Sequence, residues 1–244
     1  MRTIAVYNLK GGVGKTTTAV NLAWSAVNKS SRRTLLWDLD PQGASSHLIG
    51  NAETAKDEAR SIFSREIRAT KMTQPSTVDG LDLLAADQSL RDLDHLLFNL
   101  GKGKRLKKLL EGLARKYDRV ILDCPPGLNE TADQVLRAAD LVIVPVIPSP
   151  LSQRALTEVR DYIDRQKGSH APILPIYTMV DRRRALHKQA LARHPEWPVI
   201  PMASAVERMA EERKPLGAFD PKCPAGQAYA RLWSGIEKKL AKLD

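Results

Sequence analysis

The chain has 244 residues, 43% of them hydrophobic, enough to bury a sizeable core as one α/β domain spanning residues 1–244. Its 38 basic and 28 acidic residues leave a net charge of +10 and a pI near 9.7, a balance that favours an acidic partner such as nucleic acid or an anionic membrane surface. Cys124 and Cys223 are too few for a disulfide scaffold, and no apolar run approaches the roughly 20 residues of a membrane span.

The first element is a strand, "TIAVYNL" at residues 3–9, entered directly from the N-terminus. No signal peptide is expected there, and a reducing cytoplasm is the expected compartment. The strand runs into Lys10-Gly11-Gly12-Val13-Gly14-Lys15-Thr16-Thr17, followed by the helix-forming "TTTAVNLAWSAV". Strand, glycine loop and helix form the setting of a phosphate-binding loop. Its backbone N–H groups wrap phosphates, its last lysine (Lys15) reaches the outer ones, and its hydroxyl (Thr16) binds magnesium. The helix start adds a positive dipole end. The usual first glycine of the pattern is missing, its place taken by Leu9, and Lys10 lies outside the pattern altogether.

Further strands are expected at "TLLWDLD" (34–40), "LDLLAA" (81–86), "RVILDC" (119–124), "LVIVPV" (141–146) and "ILPIYTMV" (173–180). Amphipathic stretches such as "KRLKKLLEGLARKY" and "SQRALTEVRDYIDRQ" separate them. Near-continuous apolar strands alternating with such helices predict a mainly parallel, twisted sheet with helices on both faces, its ligand site at the carboxyl ends of the strands. The polar segment from Asn51 to Gln74 is the least regular part.

Two strand ends carry carboxylates. Asp123 closes "VILD" as a Walker B aspartate would, where it can hold a metal directly or through water. Asp38 and Asp40, one residue apart, leave their strand on the same face. Asp38 is a candidate to support the metal's water shell and Asp40 to orient an attacking water. "GKGKRLKK" from residue 101 lacks the phosphate-loop spacing and reads as a basic surface helix with Leu106, Leu109, Leu110 and Leu113 on its apolar side; the loop near Arg105 is expected to add to a nucleic-acid face. His187 and His194 stand seven apart without a carboxylate or cysteine at ligand spacing, so no zinc site is expected.

Together "KGGVGKTTTAVNLA", "LLWDLDPQGASS", "VILDCPPG", "YTMVDRR" and "FDPKCPAGQAYARLW" resemble the deviant Walker A ATPases of the ParA/MinD class, and within it the ParA partition and positioning ATPases, over nearly the whole chain. The resemblance gives Lys10 a role: it matches the family's signature lysine, which reaches across a nucleotide-sandwich dimer to the partner's phosphates. It implies a P-loop fold, ATP and Mg2+ as cofactors, ATP-dependent homodimerisation, slow partner-stimulated ATP hydrolysis, and catalytic roles for Lys10, Lys15 and Asp40. Non-specific DNA is implied as a partner, with Arg182, Arg183, Arg184 and Lys188 as contacts and Arg183 at the family's DNA-contacting position. Met202 and Ala205 stand where the family carries basic residues; Arg208, Arg213 and Lys214 are candidates to compensate, and Lys238, Lys239 and Lys242 to extend the surface. Met179, Pro201 and Met202 are the implied neighbours of adenine.

The resemblance also implies a ParB-like adaptor with a basic N-terminal tail and a nucleoid-associated location. With the loop beginning at residue 10, the N-terminal helix-turn-helix domain of larger plasmid ParA proteins is not expected. Two alternatives stay open: a MinD-like membrane-associated ATPase, for which Leu232, Trp233, Ile236, Leu240 and Leu243 lie near one apolar helical face, and a metabolic ATP-dependent enzyme on the same scaffold; for that face the favoured reading is a last helix packed on the sheet, as in ParA chains, and a membrane partner is not expected. A cluster-bridging reductase is not expected, because Cys124 sits beside Asp123 and Cys223 lies far along the chain.

Overall fold

The computed structural model describes residues 1–50, 59–64, 68–99, 104–165 and 170–243. Among the described residues eight strands form one sheet: β1 Arg2–Val6, β2 Thr34–Asp38, β3 Gln74–Pro75, β4 Leu81–Leu84, β5 Arg119–Asp123, β6 Leu141–Val146, β7 Ile173–Val180 and β8 Val199–Pro201. They lie in the order β3-β4-β2-β5-β1-β6-β7-β8, and every pairing is parallel except β3 with β4.

The helices are α1 Lys15–Ser30, α2 Ala44–Ile49, α3 Ala59–Ser64, α4 Ala69–Met72, α5 Leu93–Asn99, α6 Arg105–Leu113, α7 Glu130–Ala138, α8 Pro150–Arg165, α9 Ala185–Arg193, α10 Ser204–Glu212, α11 Leu216–Phe219 and α12 Pro224–Leu240. Alternation along each strand divides the core in two. Ile4, Val6, Leu36, Ile121 and Ile143 face α1, α2, α10, α11 and α12, while Ala5, Tyr7, Trp37, Leu122 and Val144 face the side of α3 through α9. Both faces are covered, which is why the strands are apolar throughout. This is the architecture of P-loop NTPases.

Several strands end sooner than expected, β1 at Val6, β4 at Leu84 and β5 at Asp123. β2 ends at Asp38, so Leu39 and Asp40 already belong to the loop. The edge strands β3 and β8 were not foreseen; they span two and three residues, too short for a period to show, and β3 contains a proline tolerated only at an edge. The C-terminal helix packs on the sheet, the favoured reading of its apolar face, so that face is not available to a membrane. Leu232, Trp233, Ile236 and Leu240 are buried in the core shared with α1, and Trp233 donates its indole N–H to Ser30 Oγ at 2.8 Å. Leu243 lies beyond the helix and is exposed. Among the described residues no helix is long and apolar enough to cross a membrane.

Because Ile236 has no exposed surface, shortening it should be felt. Ile236→Val should cost about 1 kcal/mol and lower the melting temperature by about 2–4 °C. An unchanged thermal melt would mean that α12 packs loosely.

Candidate functional site

The residues 7–17 loop leaves β1 at the middle of the sheet. Its turn into α1 needs Gly14 with φ +86°, a left-handed backbone at the helix's N-terminal cap. Asn8 fixes the start of the loop: its Oδ1 accepts the Lys10 N–H at 2.9 Å, and its Nδ2 donates to the Pro145 carbonyl at 2.7 Å. Thr178 Oγ1 donates to the Val13 carbonyl at 2.9 Å, holding the loop against β7. Val13 itself is buried, so it serves the loop from behind.

Over the loop lies a cavity of about 660 Å³. Gly11, Gly12, Gly14, Lys15, Thr16 and Thr17 form one wall, Asp40, Pro41 and Gln42 a second, and Pro125, Pro126 and Asn129 a third. Lys10 is not among its lining residues, so the two lysines of the loop separate: Lys15 serves the chain's own cavity and Lys10 stands outside it. They are nonetheless joined, since Lys15 Nζ donates to the Lys10 carbonyl at 2.9 Å. Burial lowers the Lys15 pKa, opposed by the carboxylates of Asp123 and Asp40.

Asp38 and Asp123 pair in register across β2 and β5 and are both buried. Asp38 spends its oxygens behind the site. Oδ2 accepts the Ser46 N–H and Oγ–H at 2.9 and 2.8 Å, and Oδ1 accepts the Asp40 N–H at 3.1 Å. Asp123 accepts the Ser45 hydroxyl at 2.6 Å and lies within reach of the Thr16 hydroxyl, yet its Oδ1 is buried without a partner. Burial raises both carboxyl pKa values above the usual range; Asp123 adds to the effect on Asp38, while the Ser45 and Thr16 hydroxyls oppose it at Asp123. An orphaned carboxylate oxygen beside a hydroxyl, with a second buried carboxylate behind, is a donor set that suits a hard divalent cation. Thr16 and Asp123 therefore fit magnesium, with Asp38 as support. Asp40 is half-buried at the cavity wall, its Oδ1 held by the Gln42 N–H at 3.0 Å.

A smaller cavity of about 120 Å³ adjoins the first and shares Gly14, Thr17 and Met179 with it. Thr178, Pro201, Met202 and Val206 also line it, so the three candidate base-contacting residues come together on one mostly apolar slot. Met179 adopts φ +53°, where the β7–β8 register shifts.

The basic candidates divide. Arg182, Arg184 and Lys188 are exposed at the turn after β7 and on α9. Arg183 is 91% exposed but forms a two-pronged pair with Asp181, at 2.9 and 3.0 Å, which holds Asp181 down at about 2. Arg208 lies over the Phe219 ring, 5.2 Å from its centroid, and 3.8 Å from Glu212. Arg213 is turned inward: its guanidinium donates to the carbonyls of His47 and Gly50 at 3.0 and 2.7 Å, tying α10 to the end of α2. Arg105 likewise donates to the carbonyl of Phe63 at 2.7 Å, closing α3. Neither guanidinium is the free surface cation that charge alone suggested. Residues 101–103 of the neighbouring basic stretch lie outside the described residues.

Lys238 and Lys239 do not extend the Arg182 surface either. Glu237 binds Arg119 at 2.7 Å at the start of β5, so this end of α12 lies at the opposite edge of the sheet from the turn after β7. His187 and His194 are occupied structurally. His187 Nδ1 accepts the Asp181 N–H at 3.0 Å, and His194 stacks on Trp197 at 4.1 Å. The serines Ser45 and Ser46, which hold both carboxylates, close the "LLWDLDPQGASS" stretch but draw no role of their own from the sequence.

Comparison with known proteins agrees with this geometry. An AAA domain family matches residues 1–176. The chromosome partitioning protein ParA of Caulobacter vibrioides (strain NA1000 / CB15N) is 33% identical, covering 95% of this chain and 92% of that protein. The cobyrinic acid a,c-diamide synthase of Mycobacterium smegmatis, solved with a bound ATP analogue and magnesium, superposes with a TM-score of 0.81 at 26% identity, covering 98% of this chain and 94% of that one. Apo McdA of Cyanothece superposes with a TM-score of 0.83 over 98% of this chain and 99% of that one; at 21% identity it speaks to the fold alone. With the glycine loop, the paired strand-end carboxylates and a partition protein one-third identical over nearly its full length, the chain belongs to the ParA/MinD class of P-loop ATPases.

Proposed function

We propose that this chain is an ATP-driven switch that binds ATP with Mg2+, pairs with a second copy across the nucleotide, and in that state binds DNA without reading its sequence. Hydrolysis returns it to the monomer. It thereby partitions or positions a cargo, in concert with a ParB-like adaptor carrying a basic tail, and resides on the nucleoid. The observation that carries this reading is the separation of the two lysines: Lys15 lines the cavity and Lys10 does not. A cation placed beside, but outside, its own phosphate site is available to a neighbour's. A row of exposed apolar side chains supports the pairing. Leu128, Leu151, Leu186 and Met202 follow β5, β6, β7 and β8 in turn, all on the carboxyl edge that carries the cavity.

Within the site, Gly11 to Thr17 would cradle the phosphates and Thr16 with Asp123 would hold magnesium, which supplies charge neutralisation on the phosphates when bound. Asp40 would orient the water, and Met179, Pro201 and Met202 would take the adenine in the adjoining slot. The name of the Caulobacter relative supports the partition reading. The M. smegmatis synthase supports a second one, a metabolic ATP-dependent enzyme, which predicts turnover stimulated by a small substrate and indifferent to DNA.

The test is a salt titration of fluorescent random-sequence DNA. Wild type should bind with ATP and magnesium and only weakly with ADP. If Arg182 and Arg183 each neutralise one phosphate, an Arg182→Ala/Arg183→Ala dimer loses four contacts, and its log-affinity against log-salt slope should flatten by about 3.6. Unchanged affinity and slope in a variant that still dimerises would make these arginines a solvated face. DNA indifference of the wild type would overturn the DNA half of the reading.

A further inference from the structure

Tyr7 has no exposed surface, and a phenylalanine ring would fill the same space. Its hydroxyl is therefore a buried polar group that requires a partner. It has one: Tyr7 Oη donates to the Gly127 carbonyl at 2.6 Å, across 120 residues of sequence. Burial, with Cys124 and Tyr162 adding, raises the phenol pKa, so the hydroxyl remains a donor at any ordinary pH. The acceptor is equally particular. Gly127 holds φ +109°, a backbone that residues with a Cβ avoid, so the carbonyl is presented by a conformation built for it.

The bond joins the two sides of the nucleotide cavity. Gly127 lies in the short loop between Asp123 and the Asn129 cap of α7, and Pro125, Pro126 and Asn129 of that loop face the Gly11–Thr17 wall. Tyr7 is on the segment that carries that opposite wall. The next residue, Asn8, holds the Lys10 N–H with one end of its amide and the Pro145 carbonyl with the other. Two consecutive side chains thus fix the glycine loop, β6 and the loop after Asp123 to one another.

We propose that Tyr7 is a positioning residue for ATP hydrolysis: its hydroxyl fixes the Pro125–Gly127 loop relative to the Lys10–Thr17 loop, so that both cavity walls keep the spacing the reaction needs. The inference rests on the ATPase reading above. Nucleotide affinity is set by the Gly11–Thr17 backbone and Lys15, whereas the Tyr7 hydroxyl bonds the opposite wall at Gly127, so the effect belongs in turnover rather than binding.

Tyr7→Phe removes the hydroxyl and leaves the ring. It should lower kcat about three- to ten-fold, as the loss of one buried hydrogen bond allows, and leave KM and ADP affinity within about two-fold. Hydrogen exchange at Gly127, Leu128 and Asn129 should quicken by a similar factor while β1 and α1 exchange as before. Gly127→Ala, which disturbs the same bond from the acceptor side, should reproduce the kcat loss, and the double variant should be no slower than the slower single one, because the two act as one unit. An unchanged kcat with only a lowered melting temperature, a loss confined to KM, or additive losses in the double variant would each overturn the role. Should the wild type hydrolyse no ATP, the ATPase reading fails, and the exchange measurement alone decides whether Tyr7 holds the loop: unaltered exchange at Gly127 to Asn129 in Tyr7→Phe would overturn it.

Discussion

Lys15→Gln should abolish ATP binding while leaving the fold intact. Lys15 is 8% exposed and is the lysine that lines the cavity, with the carboxylates of Asp123 and Asp40 favouring its charged form. A unit charge about 4 Å from a phosphate oxygen contributes about 4 kcal/mol at the effective dielectric of a protein surface, or roughly a thousand-fold in affinity. Burial disfavours the ammonium here, so its charge is retained through the neighbouring carboxylates and would be consolidated by a bound phosphate. Glutamine, one atom shorter, keeps a polar side chain with an N–H donor but removes the charge. Calorimetric titration with ATP and magnesium should therefore show no binding at concentrations that saturate wild type, with a melting temperature close to unchanged. Affinity within about three-fold of wild type would remove Lys15, and with it the phosphate-loop assignment.

That assignment was legible in the sequence because it is written in spacing: glycines that allow an unusual backbone, a lysine and a hydroxyl, between a strand and a helix. Asp123 was legible for a similar reason, as the polar end of an apolar run. What Asp38 and Asp123 rest on was not. Ser45 and Ser46 close the "LLWDLDPQGASS" stretch, where only the aspartates draw a role from the sequence, and the parallel pairing of β2 with β5 brings the two carboxylates they hold into register. Tyr7 and Gly127 were hidden by distance along the chain, since neither residue type signals a contact 120 positions away.

Charge was the least reliable guide. Arg105 and Arg213 look in sequence like Arg182, but whether a guanidinium meets water or a helix's last carbonyls depends on tertiary neighbours. Arg213 is further committed by its φ of +48° at the end of α10, which helps direct its side chain back toward α2. The C-terminal helix shows the same limit for apolar residues. An amphipathic pattern predicts a buried face without saying whether protein or lipid buries it, and here α1 does.

Lys10→Ala should leave ATP binding by the monomer within about two-fold of wild type, yet abolish the ATP-dependent dimer and lower turnover by about 100- to 1,000-fold, the loss that follows removal of one preorganised group aimed at developing charge. The substitution is a clean one. Both backbone groups of Lys10 are already used within the loop, the N–H by Asn8 Oδ1 and the carbonyl by Lys15 Nζ, and alanine keeps both. Only the side chain is lost, and that side chain does not line its own cavity. Gel filtration with a slowly hydrolysed ATP analogue reads the dimer, and a phosphate-release assay reads turnover. Mixing separates the two places the ammonium could act. In a mixed dimer the Lys15→Gln subunit holds no ATP but still offers Lys10 to the Lys10→Ala subunit, whose own site is complete. Turnover recovered from two inactive variants therefore means that Lys10 acts across the interface. A Lys10→Ala dimer as stable as wild type, in a mixture as inactive as its components, would confine the lysine to its own chain and remove the physical basis for coupling hydrolysis to pairing.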